Sequence, residues 1–329
     1  MRSILSLATV RQMKRLLGKG SSARPASIVS LLLLVILAAS LTLTACSSST
    51  SEPDTFTVTD LLGRSVQVPS QPTCIVTTHP TATETLYRAG GVAAGRDTAS
   101  KYPTEVQDLP TVGGSYSIST EAVAALNPDL VLVEALTQVS LISPLEELGI
   151  PVVAVRAASL EDIVQSLTLV GEIVDNDETA AQAVTDIQNR IDAAQDNAPE
   201  GKSILVFIGD AERKIYAAKA QSYPGLVAAL IGLKNLAADL QGPAPYPGFA
   251  LFSAEQAPSS EADIVFTITP YPAPAPRLSA VLWKISGFSE MPAVKAGHVV
   301  ELDPVLFLQA QGPRIADAVE AMLNIVNTV

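Results

Sequence analysis

The chain has 329 residues, with 21 basic and 33 acidic side chains and a formal net charge of −12; that balance, without any basic tract interleaved with aromatics, excludes a nucleic-acid binder. Hydrophobic residues make up 48% of it, enough to build the core of two medium lobes or one large domain at about 100 to 200 residues per domain. Only two cysteines and two histidines are present, which excludes a disulfide-stapled scaffold and argues against a carrier of bare zinc or manganese.

Residues 1–46 hold six of the basic residues and no acid, followed by an apolar run from Ile28 to Leu43 that closes on Leu43-Thr44-Ala45-Cys46. The run has the length of a signal h-region and is short for a spanning helix, so the segment reads as a lipoprotein signal with Cys46 as the lipidated residue; a retained membrane helix is the alternative. The predicted location is extracytoplasmic, anchored by lipid to the outer face of the cell membrane. Residues 47–55 are Ser, Thr, Glu, Pro and Asp and read as a flexible tether.

The folded part starts near Phe56. Alternation in Phe56–Asp60, a break at Gly63 and Ser65–Pro69 predict a hairpin. Short apolar runs then alternate with helical stretches, the pattern of α/β folds. Predicted strands are Cys74–Thr77, Leu130–Val133, Val152–Val155, Ile204–Ile208, Ile264–Ile268 and His298–Leu302; predicted helices include Thr81–Ala89 and Leu145–Leu148, each ended by glycine. Cys74, in an apolar run, reads as core. Ser159 with Asp162 begins a helix, and from Asp177 a second apolar face (Ala180, Ala183, Val184, Ile187, Ile191, Ala194) runs toward Pro199. At ~1.5 Å per residue this second helix spans roughly 30 Å, enough to brace two lobes; an ordinary surface helix fits the periodicity equally well. The boundaries read as an amino-terminal lobe 56–175, a connecting helix 177–198 and a carboxy-terminal lobe 199–329.

One unit occurs twice. Ser119-Thr120-Glu121 stands ten residues before Asp129-Leu130-Val131, and Ser253-Ala254-Glu255 ten before Asp263-Ile264-Val265. Each serine caps a helix start, each glutamate lies in its first turn and each aspartate begins a buried strand, which points to pseudo-twofold lobes. Pro258 must cut the second helix short.

With Asp60–Pro69, Pro80–Tyr87, Leu109–Gly113 and Met291–Val300, these units resemble the substrate-binding lipoproteins of ABC importers for iron complexes and cobalamin. The resemblance implies two Rossmann-like α/β lobes joined by one long rigid helix, the class III substrate-binding fold. It implies a monomer with no intrinsic cofactor that holds cargo in the interlobe cleft and delivers it to a permease dimer with a cytoplasmic ATPase. Glu121 and Glu255 match the family's glutamates that meet permease arginines; a plain helix-dipole role is the alternative. Gly95–Pro103 and Gly312-Pro313-Arg314 are similar to haem-binding members, so the expected cargo is haem first, a ferric siderophore second and cobalamin third. By the same resemblance Tyr116 and Tyr216 stand where phenolates ligate the iron of a bound complex, although both fit equally as cleft-wall aromatics.

His79 stands at a strand's carboxyl end, where α/β folds bind ligands, and is a second candidate contact or a satisfied loop residue. Tyr223, Tyr246, Tyr271 and Trp283 are candidate rim aromatics, and Tyr102 is a further candidate ligand contact. Arg96 is a candidate for cargo carboxylates, with Lys101, Arg213, Lys214 and Lys219 beside it. His298 reads as structural. No Gly-x-Ser-x-Gly elbow or metalloprotease histidine pair occurs, and Gly201-Lys202-Ser203 precedes a strand where a nucleotide loop must follow one. The chain is therefore not expected to be an enzyme; a scavenging or sensory lipoprotein and an extracellular enzyme are the remaining rivals.

Overall fold

Strands bounded by apolar neighbours on both faces form two sheets, one in each half of the chain. The computed structural model describes residues 54–212, 214–242, 244–272 and 274–329; the Cys46 motif, most of the tether and Arg213 lie outside them. Among the described residues no helix is long and apolar enough to cross a membrane.

The hairpin β1 (Thr55–Thr59) and β2 (Ser65–Pro69) comes first. Gly63, at φ +75°, makes its turn. Asp60 explains the residues around that turn. Its carboxylate accepts from the backbone of Leu62 and Arg64 and pairs with the Arg64 guanidinium at 2.7 Å, while Arg64 reaches on to the Val152 carbonyl at 2.8 Å. The hairpin is thereby fastened to the edge of the first sheet.

That sheet contains β3 (Ile75–Thr77), β4 (Ala93–Gly95), β7 (Leu130–Glu134) and β8 (Val152–Val155) in the order β4-β3-β7-β8, all parallel. A small hairpin, β5 (Gly113–Gly114) with β6 (Ser117–Ile118), sits between β4 and β7 in the chain. Both faces are covered, as a parallel sheet requires: Leu130, Leu132, Val153 and Val155 point into one core, and Val131, Val133, Val152 and Ala154 into another. The helices of this half are α1 (Pro80–Arg88), α2 (Thr120–Ala125), α3 (Ile142–Glu146) and α4 (Leu160–Ile173). Pro80 at the first position of α1 and His79 as its cap set the entry of that helix.

The connector α5 runs over Asp177–Asp196, with Asn176 rather than Asp177 at its N-cap. Its buried face is Ala180, Ala183, Ile187, Ile191 and Ala194. Ion pairs on neighbouring turns tie it to both halves: Arg88 of α1 to Asp186, and Arg190 to Asp317 and Glu320, both 2.6 Å away.

The second sheet has β9 (Ser203–Gly209), β10 (Ile215–Ala218), β12 (Phe249–Leu251), β13 (Ile264–Ile268) and β14 (Val299–Leu302) in the order β12-β10-β9-β13-β14, with β11 (Lys234–Asn235) beside the start of β9. Strands β9, β13 and β14 are parallel, whereas β10 pairs antiparallel with both β9 and β12. Along β9, Ile204, Val206 and Ile208 face the core shared with α5, and Leu205 and Phe207 face the other side. Helices α6 (Tyr223–Leu230), α7 (Leu278–Val281), α8 (Pro292–Ala296) and α9 (Ile315–Val326) complete it. The architecture is two α/β lobes joined by one long helix. Cys74, expected in the core, is only half-buried; its thiol donates to the Leu126 carbonyl, and burial raises its pKa.

The duplicated unit has the same geometry in both lobes. Ser119 Oγ accepts from Ala122 N at 3.1 Å and Ser253 Oγ from Gln256 N at 3.3 Å. Asp129 accepts from Thr73 N at 2.7 Å and Thr73 Oγ1 at 2.9 Å; Asp263 accepts from Ser203 N and Ser203 Oγ, both at 2.7 Å. Each aspartate thus clamps the start of the neighbouring parallel strand. As Pro258 requires, only a 3₁₀ turn, Ala257–Ser259, follows the second serine.

Candidate ligand-binding cleft

The carboxyl ends of the parallel strands in the two lobes approach each other. A Cβ on Gly312, past β14 in the carboxy-terminal lobe, would lie 3.9 Å from Thr81 at the start of α1. Within one helical turn of Thr81, the buried Glu84 meets the Arg314 guanidinium in a bidentate pair at 2.8 and 2.7 Å. Burial pushes Glu84 up to about 7, with Arg314 acting against that rise. Ligands of α/β sheets bind outside such strand ends, and the crevice between them is the candidate site.

On the amino-terminal side, Tyr116 stands 85% exposed between β5 and β6. Leu136 and Val139, past β7, are exposed apolar residues of the same strand-end edge that sequence reading missed. His79 Nδ1 accepts from Thr81 N at 3.2 Å, which leaves Nε2 to carry the proton of the neutral ring. Burial lowers its pKa against the charges of Glu134 and Asp97. In that tautomer Nε2–H is a donor and neither ring nitrogen keeps a free lone pair.

On the carboxy-terminal side a cavity of about 500 Å³ opens past β9 and β13, walled by Ile215, Pro270, Pro276, Leu278, Val281 and Ile285, with Asp210, Tyr271 and Lys284 as its larger polar groups. Its volume and mostly apolar lining are those of a small-molecule pocket. Trp283, 58% exposed, donates to the Ala280 carbonyl at 2.9 Å and lies under the Lys284 ammonium at 4.8 Å. Tyr271 is exposed beside Tyr246, whose phenol is pushed up to about 12 by burial and by Tyr271. Glu301, at the end of β14, accepts from Thr267 Oγ1 and Ser279 N; burial opposes its charge, but its hydrogen bonds outweigh that and hold it low.

Three candidates are engaged elsewhere in the fold. Arg96 is 5% exposed and donates to the carbonyls of Val106, Asp97 and Gln107 at 2.5, 2.9 and 2.8 Å, so it pins its own loop. Tyr216 lies in β10, the strand that follows the first one of its lobe, with its ring in the core and its hydroxyl donating to Asp210 at 2.8 Å. That bond raises the tyrosine pKa, and desolvation adds to it, which opposes the phenolate that iron ligation needs. Asp210 is held below the usual carboxylate range: burial works the other way and is outweighed by bonds from Lys214 N and Tyr216. Tyr102 stacks on Arg314 across the lobe boundary, 4.5 Å from ring centre to guanidinium, and lines a separate cavity of about 270 Å³ with Glu84, Arg190 and Asp317. It braces the junction. Lys101 is exposed, Lys214 pairs with Glu212 at 2.7 Å, and His298 Nδ1 lies 3.2 Å from the Asp263 carbonyl.

Both docking candidates are exposed. Glu121, in the first turn of α2, is held below the usual carboxylate range by its own backbone N–H and by Ser119, which donates to it at 2.8 Å. Glu255 sits in the turn after Ser253. Among the described residues no three His, Cys, Asp or Glu side chains gather to hold a metal ion.

A family model described as periplasmic binding protein matches residues 75–306. The cobalamin-binding protein of Halobacterium salinarum is 27% identical over 289 residues, covering 85% of this chain and 74% of that one. The probable siderophore-binding lipoprotein YfiY of Bacillus subtilis is 25% identical over 316 residues, covering 87% and 94%. Among solved structures, a periplasmic haem-binding protein from Pseudomonas aeruginosa aligns with a TM-score of 0.64 at 25% identity, covering 76% of this chain and 91% of that one.

Proposed function

The chain belongs to the periplasmic binding protein family, and on that premise we propose that it is the extracytoplasmic receptor of an ABC importer for a metal-bearing macrocycle, a corrinoid before haem. Family members are substrate-binding transport proteins. In this reading the chain changes no bond of its cargo and passes it to a permease dimer served by a cytoplasmic ATPase. Cys46 holds it to the membrane, residues 56–175 and 199–329 are the working lobes and 177–198 is the strut. Glu121 and Glu255 set docking register through charge, which governs encounter more than affinity.

The carrying observation is the mostly apolar cavity past β9 and β13, walled in part by the exposed Tyr271 and with Lys284 the one basic residue lining it among the described residues; Trp283 is exposed next in sequence and Tyr116 is exposed on the other lobe. Flat apolar cargo gains from such walls. Haem and most ferric siderophores bring ionised carboxylates or other anionic oxygens that need basic partners, yet Arg96 is spent on carbonyls and Arg314 on Glu84. A corrinoid carries mostly amides at its periphery and needs donors and acceptors instead. The cobalamin-binding relative from Halobacterium supports the same order. Haem is the second reading, and the observation in its favour is Tyr116, exposed and with room to ligate.

Calorimetric titration with cyanocobalamin and with hemin tests the proposal. Tight cyanocobalamin binding with weaker hemin binding supports it. Hemin binding alone, with a Soret shift lost in Tyr116→Ala, moves the assignment to haem, and binding of neither overturns it. Charge reversal at Glu121 and Glu255 is expected to reduce uptake while cargo affinity holds.

A further inference from the structure

Beneath the exposed Tyr116 lies a buried polar cluster that sheet packing alone does not require. Gln138 is 1% exposed, yet its amide is saturated. Nε2 donates to the carbonyls of Thr78 at 2.8 Å and Ser115 at 2.7 Å, and Oε1 accepts from Thr78 Oγ1 at 2.7 Å and Glu134 N at 3.1 Å. Asp97, fully buried, accepts from Ser115 Oγ at 2.5 Å, from Ala99 N at 2.8 Å and from the Ser100 hydroxyl. Ser115 is therefore gripped at both its carbonyl and its hydroxyl, and Tyr116 is the next residue.

The same glutamine reaches the other strand-end segments. Thr78 precedes His79. Glu134 accepts from Leu136 N at 2.9 Å and Thr137 N at 2.8 Å, which shapes the loop carrying Leu136 and Val139. One buried amide thus joins the end of β3, the tip of the β5–β6 hairpin and the end of β7. A fully satisfied buried network fixes geometry, whereas a half-satisfied one costs more than an apolar core. Groups fixed before cargo arrives lose less entropy on binding.

We infer that Gln138 is a positioning residue that holds Tyr116, His79 and the Leu136–Val139 lip as one preformed cargo platform. The inference rests on the reading of Tyr116 as a cargo contact, and its test separates the two.

In the full-length protein in detergent, Gln138→Leu and the milder Ser115→Ala are made alone and with Tyr116→Ala. Amide hydrogen exchange across residues 113–118 of the cargo-free protein is expected to speed up in both single variants. The dissociation constant for cyanocobalamin or hemin is expected to rise about tenfold in Gln138→Leu, the order of loss when a side chain must be ordered on binding. With Tyr116 already alanine, the same change is expected to add less than about twofold, as coupled residues require. Unchanged exchange at 113–118 overturns the inference whatever cargo binds. Additive affinity losses in the double variant also overturn it, because Tyr116 would then act apart from the segments that Gln138 holds and there would be no single platform. Failure of the wild type to bind either probe overturns the proposed function, and the exchange arm still judges Gln138.

Discussion

In the amino-terminal lobe the strand ends carry a hydrogen-bonded lattice beneath one exposed tyrosine; in the carboxy-terminal lobe the same edge is an apolar hollow ringed by prolines. At the opposite ends of the strands the lobes are alike, with Asp129 and Asp263 each gripping the first residues of a parallel neighbour at 2.7 Å. The scaffold is duplicated and the contact surface is not. Structural duplication is retained where an aspartate must satisfy strand-start donors, and it diverges at the strand ends that the proposed reading gives to cargo.

The largest effect expected concerns whether the halves fold as one unit. Arg314→Ala leaves the buried Glu84 without its partner and is expected to cost about 3 kcal/mol, read as a lower urea midpoint. Two separate transitions in the variant, where the wild type shows one, would mean that this pair couples the lobes. The clamps come next. Asp129→Ala and Asp263→Ala each strip partly exposed strand starts of an acceptor and are expected to cost about 1 kcal/mol, by comparable amounts if the lobes are equivalent at this end. A lopsided pair of midpoints breaks the equivalence.

A smaller effect is pH-dependent. Glu84 has a folded pKa raised to about 7 from the ordinary 4.5. Its contribution is full below pH 4.5 and falls as pH rises through about 7, because the folded state holds the proton more tightly. Glu84→Gln removes that slope. His79 works the other way, since its folded pKa is lowered, so the difference between variant and wild type from pH 4.5 to 7.5 isolates Glu84. Asp263, with a depressed pKa, contributes above 3.8 and loses its contribution as pH falls below that. Least of all, charge reversal at the exposed Glu121 or Glu255 is expected to leave the urea midpoint where it was; a drop at either position would mark a structural role instead of a docking one.

Much of the scaffold was legible because it is local. Val152–Val155 and Ile264–Ile268 are strands over the residues that apolar run length predicted, and the buried face of α5 is the one its periodicity gave. The repeated Ser-x-Glu units were visible for the same reason. The antiparallel strands β10 and β12 were missed, since a four-residue run such as Ile215–Ala218 carries no period of its own. The cleft was read less well, because its residues are fixed by partners far away in the chain. Arg96 looked free until Val106 and Gln107 turned their carbonyls on it, and nothing local showed that Arg314 would meet Glu84, 230 positions away. Gln138 had only one local signal, a polar residue soon after a buried strand.

A connector tied by salt bridges to α1 at one turn and α9 at the next sets the distance between the lobes in advance. In the proposed reading, the spacing offered to cargo is then inherited from the strut and not from the walls, and substitutions that break these pairs are expected to alter it without touching a wall residue.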